Sequence, residues 1–227
     1  MVAAIAAAAL AAAQAQAGDN LELAGWASLS GNKTAGHASN TDLNQVNLTA
    51  TEDTPVVNSN EFTLTIKEAA NHAINGNGSN KGGFTAEKGS LVIEGSAGVD
   101  ATALKIGGTN TAAVTLKDVS VTKGTLTVTS GSLTTVGAKG IVLGDASKLA
   151  TAHDSSSIVT DKIELQKGST LALGGGKVES ANINLASGSS AAITKGSLGK
   201  KGASITLVEG ATLEGKATAA TLSLIHI

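Results

Sequence analysis

Apolar and polar residues alternate in three similar stretches of the second half of the chain. The stretches are residues 163–173, 183–193 and 205–213, and their first residues lie 20 and 22 positions apart. Each begins with Ile-x-Leu, has Gly at its sixth position, and alternates again after that glycine. The alternation predicts short strands, and the glycine predicts a turn between them. A repeat of this length, with two short strands, is typical of a stacked β-solenoid.

Similar runs continue the pattern toward the N-terminus. Apolar strand starts occur at 62, 84, 104, 119, 141, 163, 183 and 205, and every step except 104 to 119 matches the spacing of the three stretches. We therefore expect residues 62–221 to form an all-β fold, a right-handed parallel β-helix (β-solenoid) with coils of about 20–22 residues.

Stacking of such coils predicts columns of like residues inside the solenoid. A single coil cannot bury its apolar face alone, so each inward side chain has to pack on its equivalents above and below. A glycine column is expected at one corner, where positive φ is required. The expected columns are Ile163, Ile183 and Ile205; Leu165, Leu185 and Leu207; Leu171, Ala191 and Leu213; and Gly168, Gly188 and Gly210.

Three other β architectures fit the pattern less well. A left-handed hexapeptide helix needs a period of six, which the chain lacks. A membrane β-barrel needs strands of about ten residues and aromatic girdles, whereas aromatic residues make up 1% of this chain. A β-sandwich of short alternating strands remains the alternative, although the fixed spacing of the motif favours the solenoid.

Residues outside the repeats have other expected roles. Residues 1–17 are Ala-rich and end in Ala15-Gln16-Ala17, which indicates a signal-peptide remnant with its cleavage site. Residues 18–61, which include Trp26, are expected to form an irregular N-terminal cap or first coils. Residues 222–227 resemble translated sequencing-adapter sequence, and we interpret the chain as truncated there.

Composition limits the possible partners. All sixteen basic residues are Lys, and the net charge is −2. Without Arg or interleaved aromatic residues, nucleic-acid binding is not expected. The chain has no Cys, which excludes disulfides and thiolate metal sites.

Carboxylates do not recur at the spacing of the coils. Side chains from different coils can still converge, as Asp145 and Asp161 could, but we interpret the acidic residues as solvated charges at turns. The residues in question are Asp100, Asp118, Asp145, Asp154 and Asp161.

Other chemistry-bearing residues also favour structural roles. His153-Asp154-Ser155 contains the residue types of a catalytic triad, but adjacent residues cannot adopt triad geometry. Three histidines lack i, i+4 partners that would hold a metal, and we expect all three in loops. Two glycine runs follow strands without the Gly-Lys-Ser/Thr of a P-loop, which indicates turns. These residues are His37, His72 and His153, and Gly107–Gly108 and Gly174–Gly176. We assign no catalytic, cofactor-binding or metal-binding residue.

The glycine-punctuated coils resemble those of bacterial autotransporter passenger domains of the adhesin type. Gly89-Ser-Leu-Val-Ile-Glu-Gly95 and Lys167-Gly-Ser-Thr-Leu-Ala-Leu-Gly174 carry the resemblance, which covers about residues 62–221. It implies a surface-displayed β-helix carried by a C-terminal outer-membrane barrel, which these residues do not include.

The expected function follows from that resemblance. It implies an exported, non-enzymatic structural or adhesive protein at the cell surface of a Gram-negative bacterium, associated with the outer membrane. Its partner would be an unidentified ligand on a host or neighbouring cell, or another copy of itself, and this fragment would not insert into a membrane. The alternative is a carbohydrate-active β-helix enzyme such as a polysaccharide lyase or hydrolase.

Overall fold

The structure, a computed structural model, describes residues 19–21, 23–36, 43–50, 55–67, 71–76, 83–95, 102–108, 110–215 and 221–222. Within these residues the chain is all-β apart from one short helix, α1 (Leu23–Ser28). The expected signal remnant and most of residues 222–227 lie outside the described residues. The strands are β1 (Asp19–Leu21), β2 (Gly31–Ala35), β3 (Leu43–Thr49), β4 (Val56–Val57), β5 (Phe62–Lys67), β6 (Asn71–Asn75), β7 (Gly83–Ala86), β8 (Gly89–Glu94), β9 (Ala103–Ile106), β10 (Ala112–Leu116), β11 (Val119–Val128), β12 (Gly131–Thr135), β13 (Ile141–Leu143), β14 (Ser147–Thr151), β15 (Ser156–Leu165), β16 (Thr170–Leu173), β17 (Lys177–Leu185), β18 (Ser190–Ile193), β19 (Ser197–Leu198), β20 (Ser204–Leu207), β21 (Thr212–Gly215) and β22 (Thr221–Leu222).

The strands form three parallel ladders, which the chain visits in the same order in each coil. The first ladder runs β2, β5, β8, the start of β11, β13, the ends of β15 and β17, and β20. The second runs from the end of β3 through β6, β9, the end of β11, β14, β16 and β18 to β21. The third runs β4, β7, β10, β12, the starts of β15 and β17, β19 and β22. This parallel arrangement is compatible with the predicted β-solenoid and unlike an antiparallel sandwich.

The predicted spacing is confirmed in the second half of the chain. In the first ladder Val119 pairs with Ile141, which pairs with Ile163. Ile163 then pairs with Ile183, and Ile183 with Ile205. These partners have the predicted separation in sequence because each coil returns to the same ladder after one turn.

The expected column is wrong before residue 119. Phe62 lies in the first ladder, Phe84 in the third and Leu104 in the second, so they are not equivalent positions. In the first ladder Phe62 pairs with Gly89, and Leu91 pairs with Val119. The first coils are therefore longer than those after residue 119, and every predicted step between 62 and 119 joined strands of two different ladders.

Inward-facing aliphatic residues fill the interior as predicted. Ile163, Ile183 and Ile205 are fully buried in register, and Leu171 pairs with Ala191, which pairs with Leu213. Leu165 and Leu185 are buried, while Leu207, in the last strand of the first ladder, is 38% exposed. Because inward and outward positions alternate, a one-residue slip would place this whole set in water.

The predicted glycine column forms at the corner between the first and second ladders. Gly168, Gly188 and Gly210 have φ of 77°, 74° and 85°. Gly168 N–H donates to Gly188 O, and Gly188 N–H donates to Gly210 O. In the preceding coil Ala146 occupies the equivalent turn position, also with positive φ (56°).

A column of buried serines supports the same corner. Ser147 Oγ donates to Gly144 O, Ser169 Oγ to Gln166 O and Ser189 Oγ to Ala186 O, at 2.6–2.7 Å. Each hydroxyl donates to the carbonyl oxygen three residues earlier. The backbone N–H of the same serine donates to that oxygen too, so two hydrogen bonds close each turn. In the turn of the following coil, Ala211 takes the place of the serine.

The three aromatic residues converge at the N-terminal end of the interior. The ring of Trp26, in α1, packs edge-to-face on Phe62 (5.5 Å between centroids) and on Phe84 (5.7 Å). Buried Asn58 holds the end of the helix, because its Nδ2 donates to Trp26 O and Leu29 O. Gly89 lies at the start of β8 rather than at a positive-φ turn, and a Cβ there would overlap the ring of Phe62.

Candidate functional site

Three successive corners between the second and third ladders lie next to one another in neighbouring coils. Residues 152–155 join β14 to β15, residues 174–176 join β16 to β17, and residues 194–196 join β18 to β19. An open groove with a volume of about 390 Å³ lies across these corners. We call it the corner groove; it is lined by Asp154, Ser155, Ser156, Ser157, Gly176, Lys177, Lys195 and Gly196.

The first corner is held in place by a buried serine. Ser156 Oγ donates to Val128 O (2.9 Å) and lies 3.1 Å from Thr129 O, and it accepts a hydrogen bond from His153 N–H. Because Ser156 is only 1% exposed, these bonds join the corner to the coil beneath it. The wall that carries Asp154 therefore has a fixed backbone.

The other two corners are anchored by threonine hydroxyls. Thr151 Oγ1 donates to Gly175 O at 2.6 Å, which ties the first corner to the second. Thr194 Oγ1 donates to Leu173 O at 2.9 Å, which ties the third corner to the second. These side-chain hydrogen bonds therefore connect the backbones of all three corners.

Glycines form the floor of the corner groove. A Cβ at Gly175 would lie 2.8 Å from His153 C, and one at Gly176 would overlap Ser156 O. Gly176 also has φ of 72°, which other residues rarely adopt. Close packing of the coils therefore excludes side chains from the middle corner and leaves a depression between its neighbours.

An ion pair crosses that depression. Lys195 Nζ donates to Asp154 Oδ2, from the third corner to the first. The hydrogen bond from Lys195 lowers the pKa of Asp154 below its ordinary value, and the charges of Lys195 and His153 act in the same direction. The side chains of Lys195 and Asp154 are 61% and 60% exposed, so water and salt weaken their attraction.

Hydroxyls and a second ammonium group complete the lining. His153 Nδ1 and Ser155 Oγ lie 3.0 Å apart, and Ser155 N–H also donates to this nitrogen. Ser157 pairs in the third ladder with Lys177, whose Nζ donates to Glu179 Oε1 at 2.8 Å. The groove therefore offers hydroxyls, a carboxylate and ammonium groups, and its lining contains no aromatic ring.

The four described aspartates among those named from the sequence do not form one cluster. Asp118 Oδ1 accepts hydrogen bonds from Lys139 N–H and Gly140 N–H at 3.0 Å, which fixes a turn of the next coil. Asp145 is exposed in the turn before Ser147, and Asp161 pairs with Lys200 at 3.7 Å. Asp154 faces the corner groove, and Asp100 lies outside the described residues. Among the described residues, no group of three or more His, Cys, Asp or Glu is arranged to hold a metal ion.

The histidine prediction is only partly right. His153 lies in an exposed corner as expected. The prediction is wrong for His72, which lies in β6, is 1% exposed and accepts a hydrogen bond from Val46 N–H at its Nδ1 (3.0 Å). Its position is inward in the strand, so the imidazole substitutes for an aliphatic side chain. His37 lies outside the described residues.

The glycine runs are turns, as predicted. Gly107 has φ of 74° and follows β9, and Gly174–Gly176 follow β16. In both places a strand comes next instead of the helix that a phosphate loop requires.

Sequence reasoning did not identify Lys195 or the corner groove. Lys195 has no distinctive neighbours in sequence, and its pairing with Asp154 depends on two coils being stacked. The signal was present in the repeat itself: aligned on the strand starts, residues 152–155, 174–176 and 194–196 occupy equivalent corners, and only the middle one is all glycine.

Comparison with known proteins gives no relative for this chain. No protein-family model matches it, and neither the curated proteins nor the solved structures contain a match. Within the described part of the chain, no helix has the length and apolar character needed to cross a membrane. The resemblance to autotransporter passengers therefore stays a prediction from the glycine-punctuated coils of the sequence.

Proposed function

We propose that the chain is part of an exported, surface-displayed right-handed parallel β-helix with a structural or adhesive role and no enzymatic activity. The observation that supports it is the set of three parallel ladders, which repeat corner after corner with polar side chains outward. Such a scaffold presents equivalent loops at regular intervals, and the corner groove is the concave surface on which a ligand from another cell would dock.

Several sequence features favour export over a cytosolic role. The Ala-x-Ala motif at residues 15–17 fits a cleavage site, and the lack of Cys suits a chain that crosses membranes unfolded. The glycine-punctuated coils resemble passenger domains, which are displayed at the cell surface. We propose the outer surface of a Gram-negative bacterium as its location.

Surface display can be tested on intact cells that produce the protein. Protease added outside should remove the protein, detected with an antibody, while a cytosolic marker stays intact. Protection of the protein until the cells are lysed would contradict the proposal. Adhesion can be measured separately as the retention of beads coated with the purified protein on cultured cells, with uncoated beads as the control.

The alternative, a carbohydrate-active enzyme, makes a different prediction. An enzyme would release products from polygalacturonate or glycosaminoglycans, and one Asp→Asn change would abolish the release. We expect no product with or without Ca²⁺. Turnover lost in the Asp154→Asn variant would establish the enzyme instead, because Asp154 is the carboxylate that lines the corner groove.

A further inference from the structure

The short helix α1 stands where the later coils have a strand of the third ladder. It follows β1, which pairs with β3 in the second ladder, and it precedes β2, which belongs to the first ladder. Because the chain visits the ladders in a fixed order, a third-ladder strand is expected between β1 and β2. In its place α1 packs against β4, the strand with which the described part of that ladder begins. A helix does not extend a sheet, so α1 covers this end of the third ladder.

The three ladders differ in how their N-terminal edges are protected. Natural sheets protect edge strands with charged residues, with very short strands or with a covering helix. β1 contains Asp19 and β2 contains Lys33, whereas β4 consists of Val56 and Val57 alone. Val57 is outward and 60% exposed. The edge of β4 therefore has no charge to repel another chain, and its protection comes from α1, which we call the N-terminal cover.

The outward column that begins at Val57 is also uncharged. Val57 pairs with Thr85, which pairs with Thr115, and Thr115 pairs with Thr134. Like charges on adjacent strands are destabilising, and this column has none. The same uncharged edge is present in every copy of the chain, so two copies can approach each other here without repulsion.

Asn58 holds the N-terminal cover in place. Its side chain is buried, and its Nδ2 donates to Trp26 O at 2.6 Å and to Leu29 O at 2.9 Å. Its Oδ1 accepts a hydrogen bond from Asn60 N–H at 2.8 Å. Because Asn58 directly follows β4, a single amide group joins the cover to the strand that it protects. Removal of this amide leaves both carbonyls without the donor that reaches them from β4.

The contact between the N-terminal cover and the interior is imperfect. The indole N–H of Trp26 is buried and has no hydrogen-bond partner within the part of the chain that the structure describes. A cavity of about 10 Å³ with an apolar lining borders the ring. A buried donor without an acceptor lowers the stability of the contact that buries it, and a void removes packing partners. Both features weaken the attachment of the cover.

We propose that α1 is a releasable cover that keeps the edge of β4 from pairing with the same edge of a second copy. Release exposes the backbone of β4 and the rings of Phe62 and Phe84, so the new contact gains hydrogen bonds and apolar burial. Pairing of identical edges has two-fold symmetry and closes into a dimer. The inference goes beyond the adhesive function and does not depend on it.

Two variants of the full chain release the N-terminal cover by different routes. Asn58→Ala removes the amide that holds it, and Ala27→Pro disrupts the helix at an exposed position. The chain has one tryptophan, so the fluorescence of Trp26 reports the release. In both variants the emission should shift to the red, and acrylamide should quench it more strongly. The average mass in sedimentation should roughly double relative to the unaltered protein, as dimer formation requires.

A second substitution tests whether the dimer forms through β4. In the Asn58→Ala background, Val57→Lys places a charge on the edge strand and should return the mass to that of the unaltered protein, while Trp26 stays accessible to acrylamide. Val136→Lys is the matched control. Val136 is 52% exposed and directly follows β12, an inner strand of the same ladder, so this change should leave the dimer intact.

Ser156→Ala separates release of the cover from a general loss of stability. Ser156 is buried and donates hydrogen bonds to the backbone of another coil, so its loss weakens the stack and leaves β4 covered. Its mass should equal that of the unaltered protein. Equal self-association of Ser156→Ala, release of Trp26 without a change in mass, or a dimer that persists with Val57→Lys would each overturn the proposal. Unchanged fluorescence in both release variants, or loss of the β signal in their circular dichroism, would also overturn it, because the cover would then not open on its own.

Discussion

Ala146 occupies a turn position at which the next three coils have glycine, and this difference allows a reciprocal test. The four turns have the same backbone hydrogen bond, from the fourth residue to the first, and positive φ at the third. An L-residue with a Cβ in the left-handed region costs about 1–2 kcal/mol. Ala146 should therefore be strained, and Gly188 should not.

The structure separates backbone strain from steric collision at Gly188. A Cβ there would meet Lys167 Cγ at 3.5 Å, which is ordinary contact, whereas at Gly168 it would lie 2.5 Å from Asp145 Oδ1. Gly188→Ala thus introduces the backbone cost alone. That cost is reduced by about 0.4–1 kcal/mol, because alanine also restricts the unfolded chain, and we expect a net loss of about 1 kcal/mol.

Ala146→Gly should have the opposite sign. It removes about 1–2 kcal/mol of left-handed strain and adds about 0.5–1 kcal/mol of chain entropy to be lost on folding, so the expected gain is roughly 0.5–1 kcal/mol. Urea unfolding followed by far-UV circular dichroism would measure both variants as shifts of the midpoint.

The control for these variants is Gly215→Ala. A Cβ at Gly215 meets nothing within 4 Å, and its φ is not in the left-handed region, so the change should be neutral or slightly stabilising. If Gly188→Ala behaved like Gly215→Ala, or if Ala146→Gly lowered the midpoint, strain at this corner would not be the cause.

Three further substitutions test other parts of the fold. Leu185→Asp places an unpaired charge in the buried first ladder and should cost several kcal/mol, whereas Asn184→Asp, on the outward face, should cost little; equal tolerance in thermal unfolding would mean that the register is wrong. Gly89→Ala forces the ring of Phe62 away from Trp26 and should cost about 1–3 kcal/mol, with a change in the fluorescence of Trp26; unaltered fluorescence and stability would contradict the contact. Ser169→Ala removes the hydrogen bond to Gln166 O and should cost about 0.5–1.5 kcal/mol; a loss below that range, measured by urea unfolding, would show that the backbone bond closes the turn alone.

The sequence predicted those parts of the fold in which coils have equal length. Ile163, Ile183 and Ile205 could be aligned because identical spacing brings identical residues into contact, and their glycines followed. Before residue 119 the coils are longer. Phe84 and Leu104 therefore lie at the predicted spacing from Phe62 but in other ladders. The spacing of strand starts along the sequence identifies equivalent residues only where the loops between the ladders have the same length in every coil.

The N-terminal interior and the corner groove were harder to predict for a different reason. Trp26, Phe62 and Phe84 meet through packing between coils that share no pattern, and His72 occupies an inward position where the alternation predicts an aliphatic residue. The pair of Lys195 and Asp154 joins side chains from corners two coils apart. Contacts of this kind depend on how the coils stack in space, and the sequence period does not contain that information.

The three ladders make a whole coil an exchangeable unit. Excision of residues 163–182 would join Lys162 directly to Ile183, and the partners left behind would fit: Ile183 would meet Ile141, Ala191 would meet Leu149 and Leu198 would meet Ile158. The same excision would remove Gly174–Gly176 and bring the corner of Asp154 directly beneath that of Lys195. Duplication or loss of a coil during evolution can therefore lengthen or shorten such a chain without disturbing its hydrogen bonding. Each such event also creates or removes a surface depression.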